Sequence, residues 1–93
     1  MISKRQIREF GGRHPHAITP LNRWTAAIES AECANPAELK RVFRSVDIVA
    51  DRTVFDIGGN KYRLIAYVHY RRQIVYIKQI LTHEQYDEGK WRA

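Results

Sequence analysis

The chain has 93 residues, enough for one hydrophobic core and too few for two. Hydrophobic residues make up 44% of it, which argues against a disordered chain. Its 16 Lys plus Arg against 10 Asp plus Glu leave a formal charge of +6, which favours a polyanionic partner: nucleic acid, an acidic lipid or an acidic protein. Cys33 is the single cysteine, so an intrachain disulfide and a thiolate zinc cluster are excluded. No apolar run reaches membrane length and Met1-Ile2-Ser3-Lys4 does not read as a signal peptide, so a cytoplasmic location is expected.

Met1-Ile2 reads as a short edge strand, followed by a helix with Ser3 as N-cap and Gln6 three residues on. Ile7 and Phe10 give this helix an apolar face, and Lys4, Arg5, Arg8 and Arg13 cover the others. Each glycine of Gly11-Gly12 costs a helix about 1 kcal/mol relative to alanine, so the helix is expected to fray or stop there. A second helix is predicted from about Ala17 to Glu32, with Leu21, Trp24, Ala27, Ile28 and Ala31 on one face. Cys33 is placed on helix as well, between Ala31, Glu32 and Ala34, as a buried small residue rather than a nucleophile. Asn35-Pro36-Ala37-Glu38 starts a third helix, with Asn as N-cap and Pro at the first helical position. It sends Leu39, Val42 and Phe43 inward and Lys40, Arg41 and Arg44 outward.

From Val46 the hydrophobic period changes to two. Strands are expected at Val46–Val49, Thr53–Ile57, Tyr62–Tyr70 and Ile74–Leu81. Gly58-Gly59-Asn60 suits a hairpin needing positive φ, and Arg71-Arg72-Gln73 forms a second turn without Gly or Pro. A short last helix starts near His83, capped by Thr82. The expected fold is one α+β domain spanning residues 1–93, with N-terminal helices on one face of a three- to four-stranded antiparallel sheet and a short C-terminal helix.

Strict alternation puts the Leu64 set of the third strand and Val75, Ile77, Gln79 and Leu81 of the fourth against the helices. The other face then displays Arg63, Tyr67, His69, Tyr76 and Lys78. Cations interleaved with aromatic rings suit single-stranded RNA, through phosphate contacts and base stacking. The same pattern also describes a solvated face with cross-strand aromatic pairs, and spacing alone does not choose between them. His83, Glu84 and Tyr86 follow the last strand and can overhang the sheet. RNA cleavage needs a base on the 2′-hydroxyl, an acid at the leaving oxygen and cations on the phosphorane; His83 suits proton transfer, and Arg63, Lys61 and Lys78 the charge. A histidine at a helix start is also a common cap or surface residue. His14, His16, His69 and His83 match no metal-site spacing, and Gly58-Gly59 leads into a strand rather than a phosphate-cradling helix. No metal and no cofactor is expected.

Val54-Phe55-Asp56-Ile57-Gly58-Gly59-Asn60-Lys61-Tyr62-Arg63-Leu64-Ile65, with Thr82-His83-Glu84-Gln85-Tyr86-Asp87, strongly resembles the HigB family of toxins in the RelE-like superfamily. Ile2-Ser3, His14-Pro15, Leu21 to Trp24 and Pro36 to Lys40 extend the likeness over nearly the whole chain; Gly11-Gly12 departs from it, since bulkier helix formers are usual there. The resemblance implies a type II toxin: a ribosome-dependent, metal-independent mRNA endonuclease acting at the decoding site. It further implies a HigA-type helix-turn-helix antitoxin, with operator DNA contacted only through that partner. Carried over, Asn60, Lys61 and Arg63 match the family's turn and strand, and His83, Tyr86 and Asp87 its C-terminal segment. Arg63 is then assigned to the scissile phosphate, Lys61 and Lys78 to RNA backbone and transition-state charge, and Tyr86 to stacking or 2′-hydroxyl contact. Two other readings stand beside this: a non-catalytic RNA- or ribosome-binding module that blocks translation by occupancy, and a structural partner of a DNA-binding protein.

Overall fold

The computed structural model describes residues 4–59, 61–89 and 91. Met1-Ile2 and the Ser3 cap lie outside that set. Helix α1 spans Arg5–Arg13, so it continues through Gly11-Gly12, where it was expected to fray or stop, and ends one residue later. Packing explains the first glycine. A Cβ on Gly11 would sit 2.9 Å from Cγ1 of Ile18, so that glycine lets the following helix approach, whereas a Cβ on Gly12 would meet nothing within 4 Å. His14 ends the helix, its N–H donating to the Phe10 carbonyl at 2.8 Å and its ring stacking on Phe10 with centroids 4.4 Å apart.

A 3-10 turn at Pro15–Ala17 leads into α2, Ile18–Ser30, which buries Leu21, Trp24 and Ile28. It ends two residues before the predicted Glu32. Ala31 turns extended (φ −83, ψ 133), and the Ser30 hydroxyl donates back to the Ala26 and Ala27 carbonyls, offering the chain an alternative to further helix. Cys33 therefore lies in the connecting loop, not on a helix, though it is buried as expected. Helix α3, Pro36–Val42, begins as read: the Asn35 side chain accepts from the Glu38 N–H at 3.0 Å. Leu39 is fully buried and Phe43, four residues on, packs against the core, but Val42 faces solvent at 53% exposure.

Four strands follow: β1 Asp47–Val49, β2 Arg52–Ile57, β3 Tyr62–His69 and β4 Ile74–Thr82, with α4 at His83–Asp87. They pair antiparallel in the order β1-β2-β3-β4, a meander. The fold is thus α+β, with the helices preceding a four-stranded sheet. On the helix side Phe55, Leu64, Ala66, Ile77 and Ile80 pack against α1 and α2. Trp24 and Phe43 each meet Phe55 edge-on, centroids 5.2 Å apart, contacts worth about 0.5–1.5 kcal/mol beyond area burial.

The register corrects one face assignment. Ala66 pairs with Ile77 but Ile65 pairs with Gln79, so β4 carries an extra residue, Lys78, at a bulge. A bulge inverts the faces beyond it. Ile80 is buried among the helix-facing residues, while Gln79 is exposed and Leu81 packs on the far face. That far face is not wholly polar either: Val54, Ile65 and Trp91 form a second buried cluster there, with Val49, Leu81 and Tyr86 against it.

Candidate nucleic-acid interface

The site is built from the β2–β3 hairpin and the helix that follows β4. Gly58 and Gly59 both have positive φ (67 and 63), which closes the hairpin with Ile57 opposite Tyr62 and therefore Asp56 opposite Arg63. Asn60 lies outside the described residues; Lys61 is exposed beside it. At the other end of β4, Thr82 caps α4 reciprocally: its hydroxyl accepts from the Gln85 N–H while the Gln85 side chain accepts from the Thr82 N–H. The His83 N–H donates to the Lys61 carbonyl at 3.0 Å, which fastens the helix start to the hairpin.

Arg63 is the centre of this region. Its Nη1 lies 2.6 Å from an Asp56 carboxylate oxygen, with side-chain exposures of 14% and 23%, and 3.3 Å from the Tyr62 carbonyl. Its Cζ stands 5.2 Å from the centroid of the Tyr86 ring, a cation–π contact. Tyr86 also stacks on Trp91, centroids 4.9 Å apart and planes 13° off parallel. An indole so nearly parallel fills one face of the phenol ring, so the guanidinium takes the other. The Tyr86 ring thus has Trp91 and Arg63 as neighbours. A guanidinium carries five donors and both named contacts run through Nη1, so Arg63 keeps donors for a phosphate. A cleft of about 380 Å³ opens between Asp47, Asp56, Arg63 and Tyr86.

His83 is exposed on α4, its Nδ1 2.9 Å from Asp87 one turn along, which leaves Nε2 outward. Lys78 projects from the bulge opposite Ile65, two residues along β3 from Arg63. Tyr67 and Tyr76 are cross-strand partners with ring centroids 6.2 Å apart and 38% and 46% exposed. At about 3.3 Å per residue they lie about 13 Å along β3 from Arg63. His69 is farther, about 20 Å by the same rise, and its Nδ1 accepts the Arg72 N–H at the β3–β4 turn. The structure thus gathers Lys61, Arg63, His83 and Tyr86 at one end of the sheet and sets His69 at the other.

Sequence reasoning missed Asp56, Arg52 and Trp91 in this assembly. Asp56 was findable, since it and Arg63 flank the glycine turn symmetrically and opposite charges are favoured across strands. Trp91 follows the last predicted element, where periodicity carries no signal. Its indole N–H donates to the Tyr86 carbonyl at 3.0 Å, and Arg52 donates to the Trp91 carbonyl.

A larger cavity, about 740 Å³, lies between the end of α2, the Cys33 loop and the β3–β4 turn. Its polar rim carries Glu29, Glu32 and Lys4, the last paired with Glu29 at 3.3 Å. Burial, with Glu38 nearby as the lesser cause, pushes the Cys33 thiol above its ordinary value, so it is protonated at neutral pH and unsuited to nucleophilic attack. No group of three potential metal ligands, and no helix long and apolar enough to cross a membrane, occurs among the described residues.

The family model for HigB toxin, described as the RelE-like toxic component of a toxin-antitoxin system, matches residues 17–89. The chain belongs to the HigB toxin family. Membership brings an antitoxin partner with it, and the match takes in every element from α2 to α4. The mRNA interferase toxin HigB of Escherichia coli (strain K12) is 30% identical over 90 residues, covering 94% of this chain and 86% of the relative. The mRNA interferase HigB of Shigella flexneri matches at the same identity and coverage. The mRNA interferase HigB of Escherichia coli O6:H1 is 29% identical over 91 residues, covering 95% and 88%. In this chain the glycine hairpin, Arg63 and the capped C-terminal segment lie in one neighbourhood.

Proposed function

We propose that this chain is an mRNA interferase that cleaves translated message on the ribosome, in the cytoplasm, and is silenced by a HigA-type antitoxin. The observation that carries this reading is Arg63, held by Asp56 and the Tyr86 ring at the lip of a cleft, with Lys61 and His83 tied to the same end of the sheet. Its relatives named mRNA interferase supply the reaction class.

Arg63 binds the scissile phosphate through its remaining donors. Lys61 and Lys78, both exposed, hold the flanking backbone and the charge that grows on the phosphorane. The 2′-oxygen attacks phosphorus and the 5′-oxygen leaves with a proton. His83, its Nδ1 directed to Asp87, moves protons through Nε2, and the Tyr86 hydroxyl edge contacts the ribose. Tyr67 and Tyr76 hold a base of a neighbouring nucleotide, given their distance along the strand. His69, engaged at the turn, contributes at most to backbone binding.

The test is primer extension on a reporter mRNA in a cell-free translation reaction, with the wild-type chain and Arg63→Ala. Discrete new 5′ ends that require ribosomes and vanish in the variant are expected. Inhibited translation without new ends would replace the nuclease reading with a module that acts by occupancy.

A further inference from the structure

We infer that Trp91, anchored by Arg52, is a positioning residue for the cleavage site: it clamps Tyr86 against the Arg63 guanidinium and so fixes the direction of that cation. The inference rests on the interferase reading above and adds two residues to it.

Tyr86 is carried by a helix of five residues that buries none of its own side chains. A helix that short is not stable by itself, so something outside it must hold the ring. The Thr82–Gln85 box fixes the helix start, one turn away from Tyr86. At the Tyr86 end Trp91 joins the Gly89 N–H, which also donates to the Tyr86 carbonyl, as a restraint. Its ring covers one face of the phenol, its indole N–H holds the Tyr86 carbonyl, and its own carbonyl is held by Arg52 from β2. Trp91 is itself 6% exposed, packed with Val54 and Ile65 on the far face of the sheet. A connected path therefore runs from β2 through Arg52, Trp91 and Tyr86 to Arg63, and back to β2 through Asp56. The family match ends at residue 89, so Trp91 lies beyond it while Arg52 and Tyr86 lie within it.

Without the clamp Arg63 keeps Asp56 but loses the fixed ring that limits its swing. Phosphate binding, which tolerates several guanidinium poses, should persist, while the transition state, which needs one, should suffer. The experiment measures cleavage rate against ribosome–mRNA concentration for wild type, Trp91→Ala, Trp91→Phe and Arg63→Ala, with folded fraction measured by circular dichroism. Trp91→Ala is expected to lower the maximal rate about tenfold with the half-saturating concentration unchanged, the size of one lost aromatic contact at its upper end. Trp91→Phe, which keeps a ring and loses the N–H, should recover to within about threefold of wild type. A Trp91→Ala enzyme, folded and cleaving at the wild-type maximal rate, overturns the clamp while the loss in Arg63→Ala keeps the site. Normal cleavage by Arg63→Ala overturns the site itself. If Trp91→Ala does not fold, Arg52→Gln decides: it frees the Trp91 carbonyl with every ring in place. A maximal rate lowered about threefold supports the clamp, and an unchanged rate refutes it.

Discussion

Asp56→Asn removes one charge and almost no volume from the pair that holds Arg63, so it isolates what that pair does. Exposed ion pairs are worth about 0.2–1 kcal/mol, and breaking a fully buried pair costs about 3–5 kcal/mol. With side chains 14% and 23% exposed at the lip of a cleft, the Arg63–Asp56 pair lies between these limits. A coupling of about 1.5 kcal/mol follows, reduced from the buried value by solvent at the cleft mouth. For a domain of this size that corresponds to a melting temperature lower by about 6–12 °C. The assay is a double-mutant cycle, Asp56→Asn, Arg63→Gln and both together, by urea unfolding, run beside the translation-coupled cleavage assay. In cleavage, Asp56→Asn is expected to lower the maximal rate about tenfold while tightening substrate binding, because a freed guanidinium meets phosphate more readily but in less controlled poses. Additive single variants would refute the ion pair. Faster cleavage by Asp56→Asn would refute the role assigned to it, since the carboxylate would then be withholding Arg63 from substrate rather than aiming it.

Gly12→Ala should stabilise the protein by about 1 kcal/mol in urea unfolding, as nothing surrounds the added methyl. Gly11→Ala should bring no net gain, since its Cβ would meet Ile18 Cγ1 at 2.9 Å; equal gains at both glycines would refute the close approach of α1 to α2. The Cys33 thiol is raised above its ordinary 9.0 by burial, so the folded chain holds its proton longer than the unfolded one. The stability this contributes is whole below about pH 9 and is lost as pH rises further; Tyr70, raised from 10.0 mainly by burial, acts in the same direction. Cys33→Ala should therefore flatten the alkaline fall in urea midpoint, and an unaltered slope would count against the burial argument. Replacing Tyr67 and Tyr76 together by Leu should weaken half-saturation about tenfold without lowering the maximal rate, whereas a lost maximal rate would place these rings at the reacting nucleotide.

Element types were legible in the sequence where one local rule decided them. Asn35-Pro36 and Thr82-His83 announced their helices through capping chemistry, and both caps are made. The glycine turn announced the hairpin, and the structure adds the opposition of Asp56 and Arg63 that the turn sets. What failed were rules that assume regularity. Helix propensity stops α1 at Gly11-Gly12, but the tight contact with Ile18 favours a residue without a side chain at the first of them. Alternation assigned Gln79 and Leu81 inward because a bulge at Lys78 leaves no mark in the hydrophobic pattern: Ile77, Ile80 and Leu81 are apolar on either register. The neighbours of the Tyr86 ring were hidden for another reason. Both faces of its ring are taken by residues distant in sequence or beyond the last predicted element.

The bulge also bears on function. By inserting one residue, β4 keeps Val75 and Ile77 under the helices and still delivers Lys78 to the far face, while Ile80 returns to the core. The cations of this face then fall into two kinds. Lys61 and Lys78 are exposed and make no ion pair among the described residues, so on the proposed function they would meet RNA as mobile point charges and release counterions on binding. Arg63 is already ordered by a carboxylate, a carbonyl and a ring, so its side chain has little entropy left to lose on meeting phosphate. The proposed function thus gives attraction of the message and orientation of its phosphate to different side chains. The net charge of +6 describes the first of these tasks. The second depends on one arginine whose charge is largely answered within the fold, and a count of charges could not have found it.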